Sequence, residues 1–159
     1  MWIYFLVAKS DPFTTFKNYK SLVEKESGAF ICCLRTDKGG EFTSNEFNEF
    51  CRINGISRQL TSSYTRQQNG VVERKNRTIM NMVRCMLCDK QVPKAFWPEA
   101  ARWTVHVLNR SSTLVVKDKT PEEMWSGVKP KVDYLRVFGC LAHVHVPDQK
   151  RIKLDDKSL

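Results

Sequence analysis

The sequence lacks several features that would assign a protein class at once. No apolar run approaches the roughly 18–20 residues that span a bilayer, and the apolar start has no basic segment before it, so we expect neither a membrane helix nor a signal peptide. Cys85 and Cys88 form a single Cys-x-x-C pair, without the second pair or spaced histidines of a zinc finger. The nucleophile motif of serine hydrolases, internal repeats and low-complexity tracts are also absent.

The chain does contain enough apolar residues for a core and a marked excess of positive charge. Its 159 residues are 42% hydrophobic, which suits one ordinary globular domain. Lys and Arg number 26 against 17 Asp and Glu, giving a net charge of +9. Residues 71–116 alone hold eight basic and three acidic side chains. Such a surplus favours a polyanionic partner, with nucleic acid ahead of a membrane.

Strand and helix patterns alternate in the first part of the chain, which is typical of an α/β fold with a sheet covered by helices. Starts and stops of the helices come from capping residues and glycines. The predicted elements are a strand over 3–7, a helix from Asp11-Pro12 to Gly28, a strand over 30–34, a helix with a Thr43–Glu46 capping box ending at Gly55, and a strand over 56–60.

The second part begins with a polar stretch, 61–70, that we predict as a loop. The elements predicted after it are a helix over 71–89, a largely buried helix over 95–109, a short helix capped by Thr120-Pro121, and a strand over 135–146. At about 100° per residue, Glu73, Arg77 and Arg84 share one face of the 71–89 helix, and Lys75 points towards its rear. That face would present one carboxylate among cations, as a phosphate-binding surface does.

Two acidic residues suggest metal-dependent chemistry. Asp37 follows a predicted strand, where ligands of open α/β sheets collect, and Glu73 lies 36 positions later on a helix. Carboxylates that converge from separate elements can hold two divalent metal ions for phosphoryl transfer, and their hard oxygens suit Mg²⁺ or Mn²⁺. By itself an Asp and a Glu at this spacing is a weak signal, so the neighbouring residues carry the prediction.

Two longer motifs resemble the integrase catalytic core of copia-type LTR retrotransposons. The first is Leu-Arg-Thr-Asp-Lys-Gly-Gly-Glu-Phe over 34–42, and the second is Tyr-Thr-Arg-Gln-Gln-Asn-Gly-Val-Val-Glu-Arg-Lys-Asn-Arg over 64–77. Shorter matches follow at 96–100, 108–110, 120–121 and 135–140, so the resemblance covers nearly the whole chain. It implies an RNase H-like fold and a DNA-inserting polynucleotidyl transferase with an Asp, Asp, 35, Glu triad.

The resemblance also implies roles for individual residues. Asp37 would be the second acid of the triad and Glu73 the third, and together they would be catalytic residues and ligands of the metal ions, Mg²⁺ or Mn²⁺. DNA would be the partner, and the chain would act as a homo-oligomer in the nucleus. The residues expected to contact DNA are Gln67, Gln68 and Asn69 of the loop, and Arg74, Lys75, Arg77 and Arg84 of the helix.

Departures from the family pattern shape the expected activity. The family's first catalytic Asp lies on an opening strand upstream of the segment that 2–6 resembles, so we expect the opening strands to be missing and the chain to be a partial core over 1–125 with an extension over 126–159. Asp11, with Pro12 beside it, fits a helix cap rather than a metal ligand. Ser63 and Arg66 replace family prolines.

Four interpretations stay open on the sequence alone. The leading one is an inactive fragment of an integrase, because two carboxylates are too few for a two-metal site. The chain could instead be the recorded part of a longer active integrase, a non-catalytic module that binds nucleic acid through its basic face, or a decayed element with no selected role.

Overall fold

A computed structural model describes residues 1–8, 11–36, 40–60, 66–142, 147 and 149, with backbone alone at 41 and 66–69. The helices of this part are α1 (Asp11–Ser27), α2 (Asn45–Ile53), α3 (Arg66–Asp89), α4 (Trp97–Arg110) and α5 (Pro121–Ser126). The strands are β1 (Cys33–Thr36) and β2 (Ser57–Leu60), and short 3-10 turns cover Gly40–Phe42 and Lys94–Phe96. None of these helices combines the length and the apolar character that a bilayer span needs.

The two strands form a parallel pair in which Cys33 lies opposite Ser57. Helix α2 connects them, as expected for parallel neighbours, which need a crossover between them. The prediction for β2 is confirmed to within one residue, but β1 begins three residues later than predicted. Phe30 lies outside the strand with 82% of its surface exposed, since the pairing with β2 determines the strand's limits more strongly than the local apolar run does.

The predicted strand over 3–7 is wrong in one respect, because this segment pairs with no strand in the described part of the chain. Its side chains nevertheless alternate as in a strand: Ile3 and Phe5 pack on the core, whereas Trp2, Tyr4 and Leu6 are more exposed. An apolar, β-branched sequence favours extended backbone, but a β-strand also requires a hydrogen-bonded neighbour.

Helix α1 begins and ends where its sequence predicts. Gly28 stops it with φ +67°, a left-handed conformation that glycine adopts without a steric penalty. At the other end the Asp11 carboxylate accepts hydrogen bonds from the backbone N–H groups of Val7 and Ala8, at 3.1 and 2.9 Å. Asp11 therefore joins the helix start to the preceding segment, and these bonds fit a structural role.

Helix α2 is capped by Ser44 rather than by Thr43, so the predicted capping box is wrong by one residue. The Ser44 hydroxyl accepts a hydrogen bond from the Phe47 N–H at 3.1 Å. The Thr43 hydroxyl instead donates to the Gly40 carbonyl. The preceding turn at Gly40–Phe42 determines which hydroxyl reaches the first turn of the helix, and a spacing rule does not include that turn.

Helix α3 begins at Arg66, so the prediction of a loop up to residue 70 is wrong over its last five positions. The backbone of Gln67, Gln68 and Asn69 is helical. Arg and Gln are good helix formers, and no proline interrupts this stretch, so the sequence tolerates helix well upstream of Val71.

The segment around α4 is less buried than predicted. Phe96 and Trp97 are 49% and 45% exposed, although the Trp97 ring meets that of Phe5 edge-on at 5.1 Å. Phe96 ends a 3-10 turn, and Trp97 is the first residue of α4. That buried face consists of small residues instead: Ala100, Ala101, Thr104 and Val105.

The capped start of α5 is confirmed, because the Thr120 hydroxyl accepts a hydrogen bond from the Glu123 N–H. The strand predicted over 135–146 is wrong for residues 135–142, and 143–146 lie outside the described residues. Gly139 has φ +77° and lies against Val92 and Lys90. A turn therefore replaces a strand here, with Phe138 packed on the core.

Two hydrophobic clusters hold the described elements together. The buried members of the first come from α3 and α4: Ile79, Val83, Ala100, Ala101 and Val105. Those of the second come from α1, α2 and the residue before β2: Phe16, Phe47, Cys51 and Ile56. The result is an α/β arrangement in which helices cover a small sheet.

Candidate nucleic-acid interface

The first part of the site is the carboxyl edge of the sheet. Because β1 and β2 are parallel, their ends at Thr36 and Leu60 lie at the same edge. Asp37 directly follows Thr36 in sequence and lies outside the described residues. The strand that leads to the predicted catalytic acid therefore ends at the edge of the sheet where ligands of α/β folds bind.

One cation at this edge was missed in the sequence. Arg58 of β2 donates a hydrogen bond from Nη2 to the Thr36 hydroxyl at 3.4 Å, and its guanidinium lies 4.9 Å from the ring centre of Phe47. Its Nε atom is buried with no hydrogen-bond partner in the described part of the chain. Arg58 thus brings positive charge next to the residue that precedes Asp37. The feature of the sequence that could have indicated this cation is an arginine within a short predicted strand.

Helix α3 passes close to the same edge. Val72, which precedes Glu73 in the helix, lines a groove together with Arg35 and Thr36. Glu73 is exposed, as its position on the polar face of the predicted helix indicated. The helix residue before Glu73 and the last strand residue before Asp37 thus border one groove.

The face of α3 that contains Glu73 is polar and exposed. Arg77 and Arg84 are exposed along it, and Met80 interrupts it at 39% exposure. Ile79 and Val83 lie on the buried side, which confirms the amphipathic pattern. Neither arginine forms an ion pair with any described residue, and Arg84 donates one hydrogen bond to the Asn81 side chain. Their positive charges are therefore available for an anion.

The remaining predicted contacts are placed less uniformly. Arg74 is exposed and its guanidinium folds back over Gly70, where a Cβ would lie 3.1 Å from Arg74 Nη1. Burial lowers the pKa of the Met1 amino group, Glu122 raises it, and Lys75 contributes a smaller lowering. Lys75 itself is exposed. Nothing is described of the side chains of residues 67–69.

The carboxylates available in the described residues do not make a metal site. No three His, Cys, Asp or Glu side chains come together among the described side chains of residues 1–8, 11–36, 40, 42–60 and 70–142. Of the two predicted ligands, Glu73 lies in that part and Asp37 lies outside it. The predicted ligand pair, Asp37 and Glu73, stays a prediction.

Relatives of the chain were found in plants. It is 43% identical over 159 residues to the retrovirus-related Pol polyprotein from transposon TNT 1-94 of Nicotiana tabacum, and 36% identical over 157 residues to that from transposon RE2 of Arabidopsis thaliana. These matches cover 100% and 99% of the chain but only 12% and 11% of the relatives, so the chain spans about an eighth of their length or less. No family model matches the sequence.

Solved structures resemble the fold. The HTLV-2 integrase catalytic core domain in complex with magnesium (trimeric form) matches 74% of this chain and 70% of its own, with TM-score 0.53 and 24% identity. The simian T-cell lymphotropic virus intasome in complex with PP2A regulatory subunit B56 gamma matches 96% of this chain and 52% of its own, with TM-score 0.58 and 17% identity. The chain is therefore a homologue of a segment of the Pol polyproteins of plant copia-type retrotransposons, with the RNase H-like fold of retroviral integrase catalytic cores.

Proposed function

We propose that this chain binds DNA through the exposed cationic face of α3, as the retained part of a retrotransposon integrase. The observation that carries the proposal is the exposure of Arg77 and Arg84 on one face, without an ion pair in the described residues, while the opposite side of the helix is buried. Arginine donates two parallel hydrogen bonds to phosphate and stays charged at any physiological pH.

The charge distribution supports the same conclusion. Eight basic residues and three acidic ones occur over 71–116, which contains most of α3 and all of α4. Contacts between cations and phosphates release counterions, so affinity should fall steeply with salt and depend little on base sequence. Arg74 and Lys75, together with Gln67, Gln68 and Asn69 near the start of α3, complete the surface we assign to DNA.

A catalytic role would need metal ions as well. Asp37 and Glu73 are the residues that would hold Mg²⁺ or Mn²⁺, which in this family would activate the attacking oxygen and stabilise the leaving one. Two carboxylates are fewer than the family triad requires. We therefore propose DNA binding without catalysis by the chain on its own.

Assembly and location follow from the same proposal. The similar HTLV-2 cores are described in trimeric and dimeric forms, which supports a homo-oligomer on DNA for this chain. DNA as the partner implies action in the nucleus. We divide the chain into a partial core over 1–125 and an extension over 126–159.

Fluorescence anisotropy on a labelled duplex of random sequence, measured from 50 to 300 mM NaCl, tests the proposal. The double variant Arg77→Ala/Arg84→Ala should bind at least tenfold more weakly, with a salt slope reduced by about 1.8, since each lost phosphate contact contributes about 0.9. Arg52→Ala is the matched control, because Arg52 is an exposed helical arginine paired with Glu49. Glu73→Gln should not weaken binding. Equal affinities for the double variant and the control would overturn the proposal.

A further inference from the structure

The Cys-x-x-C pair of the sequence lies on helix α3 and has no part in the proposed function. Cys85 and Cys88 belong to the last two turns of the helix, which ends at Asp89. Both side chains are exposed, and both are free thiols. Cysteine is among the residue types most often buried in folded proteins, so two exposed thiols on one helix end are an unusual surface feature.

The helix fixes the spacing of the two thiols. Three positions along an α-helix correspond to a rise of about 4.5 Å and a rotation of about 60° around the axis, so Cys85 and Cys88 lie on the same side of α3. Side chains at this spacing have Cβ atoms about 5–6 Å apart, whereas a disulfide requires about 3.5–4.5 Å. The two sulfur atoms are therefore too far apart to bond to each other while the helix is intact, but close enough to hold one ion between them.

The number and type of donor atoms decide which ion fits. Among the side chains that the structure describes, no third His, Cys, Asp or Glu joins the pair to form a group of three. A structural zinc site takes four ligands in a tetrahedron, which the pair does not supply. Soft thiolate ligands select Cu(I) among the biological metal ions, and two thiolates on opposite sides of Cu(I) complete a linear coordination.

The charge around the pair suits the complex that would form. Cu(I) with two thiolates carries one negative charge. Arg84 lies four positions before Cys88, which makes the two residues neighbours on the helix surface. Arg84 is exposed and forms no ion pair with a described residue, whereas the nearby Asp89 carboxylate is paired with Lys90 at 3.3 Å. The guanidinium of Arg84 would therefore stabilise the anionic complex.

We propose that Cys85 and Cys88 form a two-coordinate site for a soft monovalent metal ion, and that Cu(I) is the ion it takes. On binding, each thiol releases its proton to solvent, two copper–sulfur bonds form, and copper stays in the +1 state. This site is distinct from the predicted ligand pair Asp37 and Glu73, whose hard oxygen atoms suit Mg²⁺ or Mn²⁺.

The experiment titrates Cu(I) into the full, reduced chain without oxygen, in competition with bicinchoninate, whose Cu(I) complex is coloured. The wild type should withdraw one tightly bound Cu(I) from the chelator, and Cys85→Ser/Cys88→Ser should bind it at least tenfold more weakly. Cys32→Ser/Cys33→Ser is the matched control, because it also removes two exposed thiols. Those two are consecutive residues at the start of β1, where successive side chains point to opposite faces, so their loss should leave the affinity unchanged.

A second variant tests the spacing itself. Met80→Cys/Cys88→Ser keeps two thiols at exposed positions of α3 but places them about 140° apart around the axis, so it should bind Cu(I) as weakly as the variant without the pair. A thermal melt confirms that each variant is folded. Wild-type affinity in either α3 variant, displacement of Cu(I) by an equal concentration of Zn²⁺, or ready closure of a Cys85–Cys88 disulfide by oxidised glutathione in the folded chain would each overturn the proposal.

Discussion

Arg110 Nη1 lies 3.1 Å from the Nδ1 atom of His106, so the imidazole accepts a hydrogen bond from a guanidinium. The Nε2 atom lies 2.7 Å from the Tyr134 hydroxyl, to which it can donate. This arrangement suits the neutral imidazole alone, because protonated Nδ1 would face the guanidinium. Burial first, and then Arg110, lower the pKa of His106, while Glu122 raises it.

The pH dependence of stability follows from that lowered pKa. The unfolded chain has a His pKa of about 6.5 and binds the proton more readily than the folded chain does. The contribution of neutral His106 to the free energy of unfolding is therefore fully present above about pH 6.5, and it is lost as pH falls through the folded-state pKa. The free energy of unfolding in urea, measured between pH 7.5 and 5.0, should fall more in the wild type than in His106→Gln as the pH is lowered. Parallel curves for the two proteins would contradict this.

Gly139→Ala should destabilise the chain by about 1–3 kcal/mol, because φ is +77° and the added Cβ would lie 2.6 Å from Val92 Cγ2. Gly40→Ala is the matched control, since Gly40 has no positive φ and no described atom lies within 4 Å of its Cβ position. It should change stability by less than about 0.5 kcal/mol. Urea midpoints of the two variants measure the difference, and similar midpoints would contradict the packing at Gly139.

Ser44→Ala should cost about 1 kcal/mol through the loss of the hydrogen bond to the Phe47 N–H. Thr43→Ala should cost less, because the Thr43 hydroxyl donates to an exposed carbonyl in the turn before the helix. Thermal melts of both variants compare the structure directly with the capping box expected from the sequence. A larger loss at Thr43 would restore the original cap assignment.

Nicking of supercoiled plasmid with Mn²⁺ tests the expected lack of catalysis. We expect the chain to give no more nicks than buffer, and Asp37→Asn and Glu73→Gln to match it, because two carboxylates do not complete a two-metal site. Activity that Asp37→Asn abolishes would show that the site is complete.

Structural features that have local causes were predicted correctly from the sequence. The end of α1 at Gly28 and the start of α5 at Thr120 depend on one glycine and one hydroxyl, and the structure confirms both. The polar face of α3 follows from periodicity alone. The start of α3 at Arg66 was not predicted, since the choice between loop and helix in a polar stretch depends on the rest of the fold.

Features that depend on distant partners were predicted less well. Residues 3–7 have the composition of a strand, but no described neighbour pairs with them, and β1 is limited by the extent of β2. Residues 135–142 form no strand, and the turn at Gly139 lies against Val92, 47 positions earlier in the chain. The position of Arg58 beside Thr36 likewise depends on strand pairing. The functional assignment of Asp37 came from motif resemblance and stays a prediction.

The two hydrophobic clusters have a consequence for how the molecule opens. The cationic helix is anchored in the cluster of α3 and α4, and the strand before Asp37 is anchored in the cluster of α1 and α2. No buried residue of the described part of the chain belongs to both clusters. Each cluster can therefore lose protection against solvent exchange as its own cooperative unit. A ligand that touches both the end of β1 and the face of α3 would bind the two units together and raise the cooperativity of unfolding.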